Sequence, residues 1–258
     1  MRRQKASRSD WRDAAAYAPL LDADRSLFAW EWLRRDAGYR AAYLQASSLD
    51  ILSSRISTSE QFGLVAFESP DRSVPDARPL WRVDVHPYVL GARALACGSA
   101  ADLFDLHPVR DLARIVAGDS ADHLLLSDGL RTIRLDAPLG ALTSGPVCLG
   151  YDLFGLHSAL PPLLTLRRLL ALCRTGSFAR ALHEHEARAR RWILALRAWD
   201  AIAAGARQRD IAAELLSRSV TEPRWRSREP SLRSQVQRLV RTARHMAAGG
   251  WRDLLDPA

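Results

Sequence analysis

The chain has 258 residues, of which 48% are hydrophobic and 26% are charged, as is typical of a soluble globular protein. Its most apolar stretch, SALPPLLTLRRLLAL, contains two prolines and two arginines, which excludes a membrane-spanning helix. The three cysteines are distant in sequence and no apolar signal-peptide core is present, so we expect reduced thiols and a cytoplasmic protein.

The net charge of +8 is concentrated in the C-terminal part of the chain. Residues 160–258 hold 19 Arg and 9 Asp or Glu, whereas the remainder holds 18 basic and 20 acidic residues. A strongly basic segment beside a near-neutral one indicates a nucleic-acid-binding module. Because Lys5 is the only lysine, a GC-rich genome would also produce many arginines, so their placement matters more than their number.

Residues 1–67 are predicted to form a helical N-terminal unit. Two short helices are predicted in the segment DWRDAAAYAPLLDADRSLFAWEWLRRDAGYRAAYLQ. Asp24 or Ser26 is suited to cap the second, because each precedes an apolar run at helical spacing. Aromatic residues are dense in this unit, and they allow two interpretations. They form either the core of a small helical domain or a docking surface for a protein partner. The second interpretation assigns four residues to the interface: Trp11, Phe28, Trp30 and Trp32.

The middle of the chain is predicted to be β-rich. Residues 68–79, ESPDRSVPDARP, are polar with three prolines and indicate a linker. Residues 80–156 then follow a strand period. The segment LWRVDV alternates, GPVCLGYDLFG resembles another strand, and DHLLLSDGLRTIRLD is a hairpin that turns through Asp128 and Gly129.

Residues 157–258 return to a helical period. Four helices are predicted, in PPLLTLRRLLALCRTG, EHEARARRWILALRAWDAIAAG, ARQRDIAAELL and EPSLRSQVQRLVRTARHMAAGG. The overall prediction is an α+β protein with a helical N-terminal unit, a small β-rich middle module and a C-terminal all-helical helix-turn-helix bundle.

The last predicted helix has two unlike faces. Its apolar residues fall within an arc of roughly 120°, as expected of a stripe that faces a core. The opposite side carries arginine and amide groups and no carboxylate, whereas a solvated face usually mixes charges of both signs. This face therefore indicates a polyanionic partner, although a merely solvated arginine-rich surface is the alternative.

The last two helices have the order of a helix-turn-helix motif, with a connection longer than the usual turn. Residues near the start of the second helix of such a motif read base edges, arginine pairing with guanine and glutamine with adenine. The candidates for base contacts are Arg233, Ser234, Gln237 and Arg238, and the candidates for phosphate contacts further along the helix are Arg241 and Arg244. Further DNA-binding candidates are Arg207, Gln208 and Arg209 at the start of the preceding helix. In the connection, the candidates for phosphate contacts are Arg224 and Arg226.

Signs of catalysis and of metal binding are weak. His183 and His185 in HEHE are two positions apart and point to different faces of a helix, whereas zinc-binding histidines on a helix lie four apart. The chain has no Walker loop, no G-x-G-x-x-G and no G-x-S-x-G elbow. We therefore expect a protein that is not an enzyme and needs no metal or cofactor.

Both ends of the chain resemble one family. DWRDAAAYAPLLDADRSLFAWEWLRRDAGYR resembles the transcriptional-regulator-like N-terminal domain of proteobacterial excision activators of integrative and conjugative elements. LRAWDAIAAGARQRDIAAELL and SLRSQVQRLVRTARHMAAGGWRDLL resemble the helix-turn-helix domain of the same proteins. The family often has a glycine after the aliphatic pair of IAAELL, where this chain has Ser217.

The resemblance implies a transcription activator of excision and transfer genes. It implies double-stranded DNA as a partner and a short antiactivator relative as a regulator. We expect the N-terminal unit to engage RNA polymerase or another protein. The alternative is a protein that regulates a related activator without binding DNA itself. Under the activator hypothesis, deletion of residues 1–46 is expected to spare DNA binding and to abolish activation.

Overall fold

The computed structural model describes residues 10–48, 58–96, 98–183, 186–216 and 230–256. Helices lie at both ends of the chain and a curled sheet lies in the middle, so the predicted α+β class is confirmed. None of the described helices is long and apolar enough to cross a membrane.

The described residues contain helices at both ends and strands between them. The α-helices are α1 (Arg25–Leu33), α2 (Ala37–Ser47), α3 (Leu160–Thr175), α4 (Ala189–Ala203), α5 (Gln208–Leu215) and α6 (Pro230–Ala247). The strands are β1 (Leu64–Ala66), β2 (Leu80–Trp81), β3 (Val89–Leu95), β4 (Leu103–Phe104), β5 (Ala113–Ala117), β6 (Ala121–Ser127), β7 (Thr132–Pro138) and β8 (Val147–Asp152). Short 3-10 helices cover Ala15–Leu21, Ala100–Asp102, His107–Leu112, Arg180–Leu182 and Gly250–Leu254.

The N-terminal segment contains one helical element more than the two predicted, because a 3-10 helix precedes α1 and α2. Of the two predicted candidates, Asp24 is the residue that caps α1. Its Oδ1 accepts a hydrogen bond of 3.0 Å from the Leu27 amide. Asp36 caps α2 in the same way through the Tyr39 amide at 2.8 Å. The two aspartates therefore fix where both helices begin.

Strands β1 and β2 form a small antiparallel pair. The larger sheet has six strands in the order β4-β8-β3-β7-β6-β5, and within it the β3–β7 pair is parallel. The predicted hairpin is confirmed as β6 and β7, with Ser127 paired to Thr132 and Gly129 at a φ of +98° in the turn. The predicted strand LWRVDV is shorter than expected. It ends at Trp81, because the amide of His86 bonds back to the Arg82 carbonyl at 2.9 Å and turns the chain.

Helix α3 packs on this sheet, although the sequence places it within the C-terminal bundle. Leu169 and Leu172 of α3 are at most 1% exposed and share an apolar cluster with residues of β3, β6 and β7. Gly176 ends the helix in a left-handed conformation with a φ of +68°, as the glycine after the predicted helix indicates.

The N-terminal helices and the C-terminal helices share a second apolar core. Phe28 of α1 meets Trp192 of α4 edge to face, with ring centroids 5.0 Å apart, and Trp81 lies 5.8 Å from Trp251 in the segment after α6. The predicted linker contributes to the same packing, since Val74 and Ala77 are buried. The units predicted at the two ends of the chain are therefore packed together in this structure.

A buried charge network joins α1 to α4, and we call it the α1–α4 network. The guanidinium of Arg35 lies between the carboxylates of Glu31 and Asp200, at 2.5 Å from Glu31 Oε2 and 2.8 Å from Asp200 Oδ2. The Tyr17 hydroxyl donates to Asp200 Oδ2 at 2.7 Å, and Arg34 donates to Glu31 at 2.8 Å. Burial, followed by the facing Asp200 carboxylate, raises the pKa of Tyr17 above its ordinary value, so the hydroxyl remains a donor.

Candidate nucleic-acid interface

Helices α4, α5 and α6 pack against one another in a compact three-helix arrangement around a shared core. Gly205, at a φ of +80°, lies in the short turn between α4 and α5. Ile211 and Ala212 of α5 are at most 1% exposed. Ala212 belongs to the same apolar core as the buried residues of α6.

Helix α6 buries its apolar stripe in the core shared with the N-terminal unit. Its buried residues are Leu232, Val236, Val240, Ala243 and Met246, and Leu239 is half-buried. The predicted orientation of this helix is therefore confirmed.

The opposite face of α6 is open. All six α6 residues predicted to contact DNA are exposed, namely Arg233, Ser234, Gln237, Arg238, Arg241 and Arg244. Within the described part of the chain, the guanidiniums of Arg238, Arg241 and Arg244 form no ion pair, and α6 itself has no carboxylate. The face thus presents cationic and amide donors without a neutralising acid on the same helix.

The candidates at the start of α5 are arranged differently. Arg207 and Gln208 are exposed, while the Arg209 side chain is 28% exposed. Asp210 lies between the two arginines, with its oxygens 3.5 Å from Arg207 Nε and 3.7 Å from Arg209 Nε. The sequence analysis assigned no role to Asp210. Its Oδ2 accepts a hydrogen bond of 3.2 Å from the Arg207 amide and so helps to cap α5. The signal in the sequence is its position three residues after Arg207, which is that of a capping acid.

Arg224 and Arg226, predicted to contact phosphates from the long connection, lie outside the described residues. The described residues also hold no group of three or more His, Cys, Asp or Glu side chains arranged to bind a metal ion.

The four aromatic residues assigned to a protein interface are core residues in this structure. Trp11, Phe28, Trp30 and Trp32 are at most 4% exposed. Trp30 also donates its indole N–H to the Arg72 carbonyl at 3.0 Å, which holds the ring inside. These side chains match the first of the two interpretations, a helical core, and they present no exposed aromatic surface to a partner.

Two family models match the chain. Residues 155–256, which contain α3 to α6, match a model described as T6SS, transcription factor, DNA binding domain. Residues 10–63, which contain α1 and α2, match a model described as proteobacterial transcriptional regulator-like domain. The two matches support a DNA-binding transcriptional regulator. A comparison with curated proteins gave no match.

The matches agree with the regulator-like N-terminal region and the DNA-binding C-terminal region expected from the sequence, and residues 64–154 lie between them. The DNA-binding match includes the three-helix arrangement and the open face of α6. The sheet therefore lies between two regions of regulatory type, and α3, although within the DNA-binding match, packs on that sheet.

Proposed function

We propose that this regulator binds double-stranded DNA by placing α6 in the major groove. The observation that carries the proposal is the exposed arginine and amide face of α6, which has no acid of its own, on a helix whose other face is buried in the core. Helix α6 has 18 residues and is therefore about 27 Å long, and the major groove, about 12 Å wide, admits an α-helix.

The proposed contacts follow from position along α6. Arg233, Ser234, Gln237 and Arg238 lie in its first half and are assigned to base edges. Arg241 and Arg244 lie further along and are assigned to phosphates, because cations away from the helix start commonly position a protein on the backbone. Arg207, Gln208 and Arg209 are proposed to contact the backbone from α5, and Arg224 and Arg226 from the connection.

The experiment is a gel shift of the purified chain on DNA upstream of its neighbouring genes, at several salt concentrations. Arg238→Ala is expected to weaken binding by about 1–3 kcal/mol and to relax the base preference at one position of the site. The matched control is Arg110→Ala, an exposed arginine that precedes β5 and is remote from the three-helix arrangement in sequence. Equal losses for both variants, or none for either, would argue against α6 as the reader.

We further propose that the regulator activates excision and transfer genes of an integrative and conjugative element. This proposal is supported by the resemblance of both ends of the chain to excision activators. The description of the C-terminal match names a type VI secretion transcription factor, so secretion genes are a second class of target. Reporter fusions to promoters of both classes distinguish them, since activation of secretion promoters alone would contradict the excision proposal.

The remaining alternative is an antiactivator that works by protein contact without binding DNA. Titration of a short relative into the same gel shift separates the two hypotheses. A chain that shifts DNA by itself, and is released from DNA by the relative, is the activator. A chain that never shifts DNA but removes a related activator from DNA is the antiactivator. The contact of the N-terminal unit with RNA polymerase also remains a proposal, and the four aromatic residues predicted for a protein interface are buried.

A further inference from the structure

A cavity of about 340 Å³ lies where the major parts of the chain meet. Its walls come from the start of α1, the region around β2, the six-stranded sheet, α3, the segment before α4 and the segment after α6. Pockets for small molecules in proteins range from about 300 to 1,000 Å³, and they are most common where domains or layers join. The volume and the position are therefore those of a site for a small ligand.

The walls of this cavity carry buried hydrogen-bond donors that lack acceptors. Trp81 Nε1, Arg134 Nε and Arg25 Nε are buried and have no hydrogen-bond acceptor among the described residues. Trp81 and Arg134 are 3% and 4% exposed as whole residues. Buried polar groups in proteins are normally hydrogen-bonded, so three such donors around one cavity call for a molecule that brings acceptors.

The acids of the wall are already occupied or lie apart from these donors. Asp24 Oδ1 accepts from Ser26 and Leu27, and its Oδ2 accepts from Thr132 at 2.8 Å. Glu186 lies 3.7 Å from Arg25 Nε, within range of an ion pair but beyond hydrogen-bond distance. The side chain of Asp256 is exposed. Among the described residues, every buried side-chain atom of the wall that lacks a partner is a nitrogen.

The rest of the wall fits an apolar or aromatic body. Tyr88 lies beneath the Arg168 guanidinium, which is 5.7 Å from the ring centroid, and Leu125, Leu164 and Leu254 complete the apolar part. The Arg134 guanidinium also pairs with Asp136 through Nη1, so Nε is its N–H without an acceptor. Unpaired N–H groups on guanidiniums favour a carboxylate, which accepts charge-assisted hydrogen bonds through two oxygens. We propose that this cavity binds a small carboxylic acid with an apolar or aromatic body.

The site does not depend on DNA binding, so its test uses the full chain without DNA. Benzoate, phenylacetate and indole-3-acetate are titrated into the protein by calorimetry, each beside its neutral primary amide. At least one acid is expected to bind about tenfold more tightly than its amide, because the amide carries no charge and has one acceptor oxygen in place of two. Failure of the gel shift with binding of an acid would reject the DNA-binding proposal and keep this one.

Two variants and a control connect the binding to the cavity. Trp81→Phe keeps an aromatic ring but removes the Nε1 donor, and Leu164→Trp fills the space. Trp251→Phe is the matched control, because this tryptophan packs against Trp81 outside the cavity wall. Both cavity variants are expected to lose binding while the control keeps it, with thermal melting confirming that each is folded. No binding of any of the acids, equal binding of acids and amides, or undiminished binding by folded Leu164→Trp would overturn the proposal.

Discussion

Replacement of Asp200 by alanine is the most direct test of the α1–α4 network. The Asp200 carboxylate accepts from Arg35 Nε at 2.9 Å, from Arg35 Nη2 at 2.8 Å and from the Tyr17 hydroxyl at 2.7 Å. The side chains of Arg35 and Asp200 are 11% and 7% exposed, so little water can replace these bonds. Asp200→Ala therefore leaves a buried cation with Glu31 as its remaining acid and a buried hydroxyl without its acceptor.

Removal of one partner of a buried ion pair costs about 3–5 kcal/mol, because the other charge stays buried. Arg35 keeps Glu31 as a partner, so we expect the lower end of this range, about 3 kcal/mol. A domain is stable by about 5–15 kcal/mol in total, so the variant should unfold at clearly lower urea concentration.

The measurement is equilibrium unfolding in urea, followed by circular dichroism and tryptophan fluorescence. Asp71→Ala is the matched control, since Asp71 lies 2.7 Å from Arg40 Nη2 but its side chain is 68% exposed. An exposed ion pair contributes about 0–1 kcal/mol, so the control should remain close to the parent protein. Equal stabilities of the two variants would mean that the buried network does not hold α1 to α4.

Three further predictions concern the acid limit, the hairpin and the DNA face. Burial raises the pKa of Glu31, but Arg34 and Arg35 outweigh it and hold the pKa below its ordinary value. The Glu31 carboxylate therefore stabilises the fold above about pH 4.3, and this stabilisation is lost as the pH falls. In Glu31→Gln, the free energy of unfolding measured in urea should depend less on pH in the acid range than it does in the parent protein. Gly129→Ala should lower the free energy of unfolding in urea by at least about 1 kcal/mol. Residue 129 has a positive φ, and an added Cβ would lie 2.6 Å from the Pro75 carbonyl oxygen. Arg241→Ala should reduce the log–log salt slope of gel-shift affinity by about 0.9 if it contacts one phosphate, and an unchanged slope would remove that assignment.

The parts of the fold that depend on local sequence could be predicted. The stripe of α6 repeats within one helix, the Asp24 cap lies beside the helix it starts, and the hairpin is set by the Asp128–Gly129 turn. Each of these signals involves residues a few positions apart, so spacing and turn chemistry are sufficient to read it.

The contacts between distant segments could not be predicted from spacing. Arg35 and Asp200 are 165 positions apart, and nothing local marks either as the partner of the other. The parallel pairing of β3 with β7 likewise joins segments that are separated by three other strands. Spacing alone also leaves open whether the aromatic residues of the N-terminal segment form a core or a docking surface. The burial of Phe28, for example, depends on Trp192, which is distant in sequence. The proposed ligand cavity combines residues from widely separated parts of the chain and has no sequence motif.

The shared core changes the expected result of an N-terminal deletion. From sequence, removal of residues 1–46 was expected to spare DNA binding. In the structure, Arg197 of α4 donates to the carbonyls of Trp11 and Arg12 at 2.8 and 3.0 Å, and Phe28 packs against Trp192. The deletion removes these partners and exposes apolar surface of the helix that supports α5 and α6.

We therefore expect the chain without residues 1–46 to lose cooperative unfolding and specific DNA binding together. Circular dichroism melting and gel shift on the same preparation test this, and addition of a separate fragment of residues 1–67 should restore part of the binding if the two pieces reform the shared core. A truncated chain that melts cooperatively and binds DNA with undiminished affinity would show that the reader is independent. The contacts of α1 with α4 would then not be needed to fold the DNA-binding helices.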